Sequence, residues 1–153
     1  MVRNAWAGKN VGMITDRRPT SEDYQLLLQL RTDLRRFLKW SEQQARTAGL
    51  TPAQHQLLLA VRGHAEAQGP TITDVAEYLL LRHHSAVGLV DRAEQAGLIR
   101  RVADPSDGRV TRLRLTRKGA RGLDRLVRAA TDELTRLAED FTALGKRARE
   151  RTR

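Results

Sequence analysis

The hydrophobic periodicity of this chain changes from helical to extended immediately after Gly97, and this change restricts the fold more than any other feature. Over residues 73–96, apolar side chains recur every three or four positions in two short segments, as in two successive helices. Residues 98–102 and 110–116 instead alternate apolar and polar side chains, as strands do. The polar segment 103–109 carries proline and Asp-Gly turn signals. The sequence therefore predicts two short helices followed directly by a β-hairpin, which is the pattern of a winged helix-turn-helix.

Capping residues predict where the helices begin and end. Ser21 is the expected N-cap of a first helix, and Thr51 with the following proline is the expected start of a second. The Gly69-Pro70 pair is expected to end that second helix, and Thr73 to cap the third. Gly97 is placed to end the fourth helix in a left-handed conformation.

A long C-terminal helix, about residues 118–147, carries an apolar stripe with heptad spacing. Its members are three or four positions apart, which is the a/d pattern of a helix–helix seam. They are Val127, Ala130, Leu134, Leu137, Phe141 and Leu144. One winged helix offers too few partners to bury this stripe along its length. We expect a homodimer built from this helix and the first one, about residues 21–48, which contributes Leu27 and Leu34.

Positive charge is concentrated in two segments. The chain has 28 Lys and Arg against 18 Asp and Glu, a formal net charge of +10. Residues 82–121 and 146–153 together account for the whole excess, while the remainder is neutral. This distribution favours a polyanion-binding surface centred on the predicted helix-turn-helix and hairpin.

The fourth helix is the candidate recognition helix. With Ala86, Leu89, Val90 and Ala93 facing inward, its amino end and opposite face become available to the major groove of DNA. The expected base and phosphate contacts are Arg82, His83, His84, Ser85, Val87, Gly88 and Arg92. Arg92 and Asp91 are alternatively an ion pair inside the lobe that supports the hairpin, and this structural role is the one expected for Asp91.

The hairpin supplies the second candidate contact with DNA. Arg109, at the tip, is expected to enter the minor groove, because a guanidinium suits a narrow, electronegative groove. Asp107 is expected to hold Arg109 in place. Arg112 is expected to follow the phosphate backbone from the outer face of the second strand.

Several ordered motifs make the chain resemble the MarR (multiple-antibiotic-resistance regulator) family of winged-helix transcription regulators. The strongest is Asp91-Arg92-Ala93-Glu94-Gln95-Ala96-Gly97-Leu98-Ile99-Arg100-Arg101 followed by Asp104-Pro105-Ser106-Asp107-Gly108-Arg109. Leu115-Thr116-Arg117-Lys118-Gly119 and Leu50-Thr51-Pro52-Ala53-Gln54 match two further family segments. The resemblance covers about residues 21–145.

The resemblance implies a homodimer that binds double-stranded DNA at a roughly palindromic operator, usually as a repressor. It also implies release by a small organic effector held between the DNA-binding lobe and the dimer helices, where Phe37, Trp40 and His55 are the candidate lining. Some family members respond to cysteine oxidation, but this chain contains no cysteine. That mode of regulation is therefore closed to it.

The sequence predicts a mainly α fold with a small β-hairpin, divided into four parts. Residues 1–20 form a flexible arm, residues 51–116 the DNA-binding lobe, the two flanking helices the dimerisation region, and residues 148–153 a basic tail. No run of apolar residues is long enough to span a membrane, and we expect a cytoplasmic protein.

No other function class is as well supported by the sequence. It shows no catalytic constellation, no metal-ligand cluster and no cofactor motif, so we expect neither an enzyme nor a metalloprotein. The alternative is a winged-helix interaction module whose basic hairpin binds an acidic protein.

Overall fold

The computed structural model describes residues 18–150, with side chains described for residues 18–147. The helices and strands of this part are α1 (Ser21–Thr47), α2 (Pro52–Gly63), α3 (Ile72–Leu79), α4 (His83–Gln95), β1 (Ile99–Ala103), β2 (Thr111–Leu115) and α5 (Arg117–Glu150). The chain divides into two compact units. One, Trp40–Ala130, is called the lobe here; the other comprises residues 18–39 and 131–150 and is called the helical ends.

The lobe is built around a core shared by α2, α3, α4, the hairpin and the first turns of α5. Its largest fully buried side chains are Leu57, Leu58, Val75, Val90, Ile99, Leu113 and Leu123. The predicted inward face of α4 is confirmed, because Ala86, Leu89, Val90 and Ala93 are all buried. Burial of this stripe turns the opposite side of α4 away from the core.

The hairpin has a regular antiparallel register, in which Arg100 faces Arg114 and Arg101 faces Leu113. Both strands were predicted, with boundaries that differ by one residue at each end. The Leu113 amide also donates a hydrogen bond of 2.8 Å to the carbonyl of Pro70. The chain before α3 thus satisfies a backbone donor on the outer edge of β2.

Two of the predicted N-caps are displaced by one or two residues. Thr71, not Thr73, caps α3: its hydroxyl accepts from the Asp74 amide while the Asp74 carboxylate accepts from the Thr71 amide. At α1, Thr20 rather than Ser21 makes the equivalent reciprocal pair with Asp23. In both cases an acidic residue three positions later selects the cap, since it returns a hydrogen bond to the cap amide.

Helix α2 ends at Gly63, six residues before the predicted stop at Gly69-Pro70. His64 already has an extended backbone (φ −62°, ψ 136°), and its ring Nδ1 lies 2.8 Å from the Tyr78 hydroxyl of α3. The predicted start of α2 is confirmed, because Thr51 and Gln54 form a capping box around Pro52. The end of α2 is thus associated with a tertiary contact that a one-dimensional pattern does not show.

The turn between α3 and α4 depends on a residue in the left-handed region. Leu80 has φ 54° and is 92% exposed, and the amide after it donates to the carbonyl of Ala76. A left-handed leucine costs about 1 kcal/mol or more. Gly97, at φ 69°, takes the same conformation after α4 as predicted, without that cost.

The helical ends pair the first turns of α1 with the last turns of α5. Leu26, Leu27 and Leu30 line an apolar groove of about 320 Å³ together with Phe141 and Leu144. None of the helices in residues 18–150 is long and apolar enough to cross a membrane. The predicted arm lies mostly in residues 1–17, and the predicted tail partly in residues 151–153, outside the described residues; α5 itself extends to Glu150.

Gly119 is expected to be required by the lobe, because an added Cβ there would lie 2.0 Å from the Leu98 carbonyl oxygen. We expect Gly119→Ala to lower the free energy of unfolding by about 1–3 kcal/mol, the usual cost of overpacking. Gly63→Ala is the matched control, since its Cβ would meet no atom within 4 Å. Urea unfolding at one fixed protein concentration measures both; equal stability of the two variants would contradict the packing argument.

Candidate nucleic-acid interface

The amino end of α4 presents a group of exposed polar side chains. Arg82 precedes the helix with an extended backbone (φ −68°, ψ 147°), and its side chain does not cap the helix. His83, His84 and Ser85 follow in the first turn and are also exposed. In the described part of the chain, these four side chains form no hydrogen bond or ion pair. Since the first amides of a helix lack intrahelical acceptors, this end offers both backbone donors and a cation to an incoming anion.

The predicted recognition face continues along α4 through Val87, Gly88 and Arg92. Val87 and Gly88 are half-buried and Arg92 is exposed. An added Cβ at Gly88 would lie 3.3 Å from Nη1 of Arg92. Because this atom is the end of a flexible side chain, a shift of a few tenths of an ångström would accommodate the Cβ, and the fold does not require glycine at this position.

Asp104 organises the loop that carries the hairpin tip. Its carboxylate accepts hydrogen bonds from the amides of Ser106 (2.8 Å) and Asp107 (3.1 Å) and from Nε of Arg112 (2.7 Å). The Ser106 amide first, and then the Arg112 guanidinium, lower the pKa of this carboxyl below its ordinary value. Asp104, which was not predicted as a site residue, thus orders the loop between β1 and β2.

Asp107 acts on the backbone of Arg109 rather than on its guanidinium. The Asp107 carboxylate accepts the Arg109 amide at 3.0 Å, and its carbonyl accepts the Val110 amide at 2.9 Å. The Arg109 side chain is exposed and has no partner among the described residues. The turn thereby places Arg109 at the tip and leaves its guanidinium available.

The expectation that Arg112 directs its guanidinium outward along a phosphate backbone is wrong. Its Nε pairs with Asp104, and its Nη1 lies 3.1 Å from both the Glu66 carboxylate and the Gly69 carbonyl. The side chain is only 17% exposed. Glu66 and Gly69 come from a distant part of the chain, so strand alternation could not reveal these two contacts. Arg112 is a residue that fastens the hairpin to the lobe.

Arg101 attaches the other face of the hairpin to α4. The sequence did not predict this role. Its guanidinium pairs with Asp91 (2.6 Å) and with Glu94, and its amide donates to Glu94 at 2.9 Å. Chiefly through that backbone hydrogen bond, Arg101 lowers the pKa of Glu94. The structural role expected for Asp91 is confirmed, but its ion-pair partner is Arg101 and not Arg92. Asp91 and Glu94, one helical turn apart on α4, were the available signal.

The candidate effector residues are distributed over both units. Phe37 belongs to the helical ends, whereas Trp40 and His55 belong to the lobe, and all three are half-buried. Burial lowers the pKa of His55, which favours its neutral form. Their assignment to an effector pocket stays a prediction. Among the described residues, no group of three or more His, Asp or Glu side chains is placed to hold a metal ion.

Comparison with known proteins agrees with this geometry. Residues 48–110 match the model of the MarR family, and a search of curated proteins gave no match. A MarR family protein from Bacillus stearothermophilus is 23% identical, with 90% of this chain and 100% of that chain covered and a TM-score of 0.69. The transcriptional repressor CouR, bound to a 23-mer DNA duplex, is 28% identical over 90% of this chain and 99% of its own, with a TM-score of 0.63. BpsR of Bordetella bronchiseptica, whose DNA binding is regulated by 6-hydroxynicotinic acid, is 21% identical, with 84% and 99% covered and a TM-score of 0.59.

A helix-turn-helix that continues into a two-stranded wing defines a winged-helix protein. The match over residues 48–110 and the similar structures agree with the resemblance of the motifs to the MarR family, whose fold this chain shares. Members of this family are transcription regulators and not enzymes.

Asp104 is expected to make the stability of the protein depend on pH in the acid range. Because its pKa is lowered by folding, its stabilising contribution is complete above the unfolded-state value near 3.8 and is lost as the pH falls through the folded value. We therefore expect Asp104→Asn to lower the urea midpoint at pH 7, and the difference from the parent to shrink at pH 3. Asp124→Asn, an exposed position on α5, is the control. A difference of the same size at both pH values would contradict this linkage.

Proposed function

We propose that this protein is a DNA-binding transcription regulator that acts as a homodimer on a roughly palindromic operator, as a repressor that a small organic effector releases. The proposal rests on the presence, on one winged-helix lobe, of two cationic elements whose arginines have no ion-pair partner in the described part of the chain. One is the amino end of α4 with Arg82, and the other is Arg109 at the wing tip. The similar structure of CouR is bound to a DNA duplex, which supports the same use of the lobe here.

The shape of α4 suits the major groove. Its outward side chains near the amino end are polar and of moderate size, and its free amides point toward an approaching phosphate. Histidine and serine side chains can hydrogen-bond to base edges, and Val87 can contact a thymine methyl. Arg82, His83, His84, Ser85, Val87, Gly88 and Arg92 form the proposed major-groove surface.

The shape of the wing suits the minor groove. The Asp104 and Asp107 hydrogen bonds order the turn, so Arg109 is presented without the entropy cost of a free loop. An acidic protein partner would also attract this arginine. The salt dependence of binding separates the two, because a protein that neutralises several DNA phosphates shows a log–log slope of about −0.9 for each phosphate.

Arg109→Ala is expected to weaken binding to operator DNA by about 1–3 kcal/mol per half-site, within the range of a good arginine contact. Asp107→Ala should weaken binding less, since it orders only the backbone of its neighbour. Fluorescence anisotropy with the DNA upstream of the protein's own gene measures both, and Arg125→Ala is a control for the loss of one exposed arginine. Parent-like affinity of Arg109→Ala would remove the wing from the interface.

Dimerisation is supported by the apolar residues that the helical ends leave exposed. Leu27 is 54% exposed, Leu34 39% and Leu134 47%. Leu137, Phe141 and Leu144 are half-buried, and the last two border the groove with α1. Exposed apolar stripes of this kind mark interaction surfaces, and a two-fold operator calls for a second copy of the same chain.

Leu134→Glu is expected to convert the dimer to a monomer or to raise its dissociation constant by at least about tenfold, since it places a charge in an apolar seam. Arg136→Glu introduces the same side chain two positions away, toward another side of α5, and should leave the dimer intact. Sedimentation equilibrium measures both. A stable Leu134→Glu dimer with parent-like affinity for DNA would contradict the proposed seam.

Effector release is proposed to act without thiol chemistry, because the chain has no cysteine. A ligand held near Phe37, Trp40 and His55 would change the separation of the two α4 helices, which must stay about 34 Å apart to meet successive turns of DNA. A ligand that prefers the released form about 100-fold supplies about 2.7 kcal/mol of coupling. BpsR, regulated by an aromatic acid, supports the proposal.

A further inference from the structure

We propose that a basic pocket at the back of the lobe binds a small organic oxyanion, a molecule carrying a phosphate or carboxylate group. The pocket has a volume of about 370 Å³ and lies between the end of α2, the loop after it, the hairpin and the first turns of α5. Its polar lining consists of Arg62, His64, Glu66, Arg100 and Arg114. None of these residues belongs to the proposed DNA surface.

The first argument is the pairing of two arginines directly across the hairpin. Arg100 and Arg114 are register partners, and both are exposed. Like charges at directly opposed positions destabilise a strand pair. Neither guanidinium has an ion-pair partner in the described part of the chain. An anion between them would turn this repulsion into attraction.

The second argument is the net charge of the lining. Arg62, in the last turn of α2, adds a third guanidinium. Glu66 is the one carboxylate of the lining, and it is already paired with Arg112 at 3.1 Å. Arg112 also pairs with Asp104, so Glu66 keeps part of its charge, but three arginines against one carboxylate leave the lining with an excess of positive charge. The planar guanidinium matches the oxygens of carboxylate and phosphate groups in a two-pronged geometry.

The third argument is an unsatisfied buried donor or acceptor beside these arginines. The His64 side chain is only 8% exposed; its Nδ1 lies 2.8 Å from the Tyr78 hydroxyl, while its Nε2 is buried with no hydrogen-bond partner. A polar atom left without a partner in the interior is costly. When Nδ1 accepts from Tyr78, Nε2 carries the proton; the Glu66 carboxylate lies 3.9 Å from it, too far for a hydrogen bond, so this donor is left without one.

The remaining lining defines the rest of the ligand. Val61, Leu113, Leu115 and Ala120 give the pocket apolar walls, and Ala120 lies one turn from the start of α5, the end of a helix that favours anions. Most of the accessible lining is polar, and the smaller apolar part leaves room for an organic portion beside the charged group of the ligand.

The two hairpin arginines of the pocket point away from the recognition helix. Arg101, between Arg100 and Val102 on β1, turns toward α4, where it pairs with Asp91 and Glu94. Successive side chains of a strand point to opposite faces, so Arg100 and its partner Arg114 lie on the other face of the hairpin.

Isothermal titration calorimetry of the full chain with phenyl phosphate, benzoate and inorganic phosphate, at constant ionic strength, tests the proposal. We expect phenyl phosphate or benzoate to bind, and the stronger of the two identifies the charged group. Inorganic phosphate should bind more weakly because it leaves the apolar walls uncovered. The absence of heat from all three probes would overturn the proposal.

The double variant R100Q/R114Q should weaken binding of the stronger probe by at least about tenfold, since a hydrogen bond to a charged group is worth about 1.5–3 kcal/mol. R125Q, which removes an exposed arginine elsewhere on the lobe, should bind like the parent. In the absence of probe, the double variant should melt no earlier than the parent, because it loses the cross-strand repulsion. This second readout separates loss of a site from loss of folding.

Two results would contradict the assignment. Equal affinity of R100Q/R114Q and the parent for the probe would place the binding elsewhere. A double variant that binds DNA more weakly, with a smaller salt slope, while neither protein binds the probes, would assign these arginines to DNA phosphates instead. Neither result depends on the operator assignment of Arg109, which is measured separately.

Discussion

The attachment of the hairpin to the lobe is the interaction on which the rest of the proposed interface depends. Two strands alone are marginally stable in water, and this pair is held from both faces by arginines. Arg101 joins β1 to the carboxylates of Asp91 and Glu94 on α4. Arg112 joins β2 to Asp104, Glu66 and the Gly69 carbonyl. The position of the wing relative to α4 is therefore set by charge-assisted hydrogen bonds together with the buried Leu113.

This attachment also separates the arginines of the lobe into two groups. Those with acidic partners, Arg101 and Arg112, are partly buried and contribute to structure. Those without partners, among them Arg82, Arg109 and the opposed pair Arg100 and Arg114, remain available for anions outside the chain. The formal charge of +10 is informative only after this division, because a paired arginine contributes little to the field that a ligand meets.

The two proposed binding surfaces occupy different faces of the same scaffold. The recognition surface lies at the amino end of α4 and the wing tip, and the basic pocket lies behind the hairpin. Since both surfaces involve the hairpin, a ligand that tightened the contact between β2 and the end of α2 would also act on the element that carries Arg109. The structure thus offers a physical connection between the pocket and the wing.

The inward face of α4, the two strands of the hairpin and the Gly97 turn could all be predicted from the sequence, because each is set by contacts or conformational limits within a few residues. The end of α2 could not, since it coincides with the contact of His64 with Tyr78 fourteen residues away. The same limit explains the incorrect prediction for Arg112. Period-two alternation places its side chain on one face of a strand, but only the folded chain brings Glu66 and Gly69 to that face.

What the sequence determined by itself is the order and type of the elements, their inward faces and the family motifs, because periodicity, caps and turn residues are local. What only the tertiary structure decided is which charges are neutralised. Arg100, Arg101, Arg109 and Arg112 are alike as residues in a sequence, and each could be a solvated charge, a contact with DNA or an internal clamp. The difference lies in whether a carboxylate from a distant segment comes within about 3 Å, and that distance is a property of the fold.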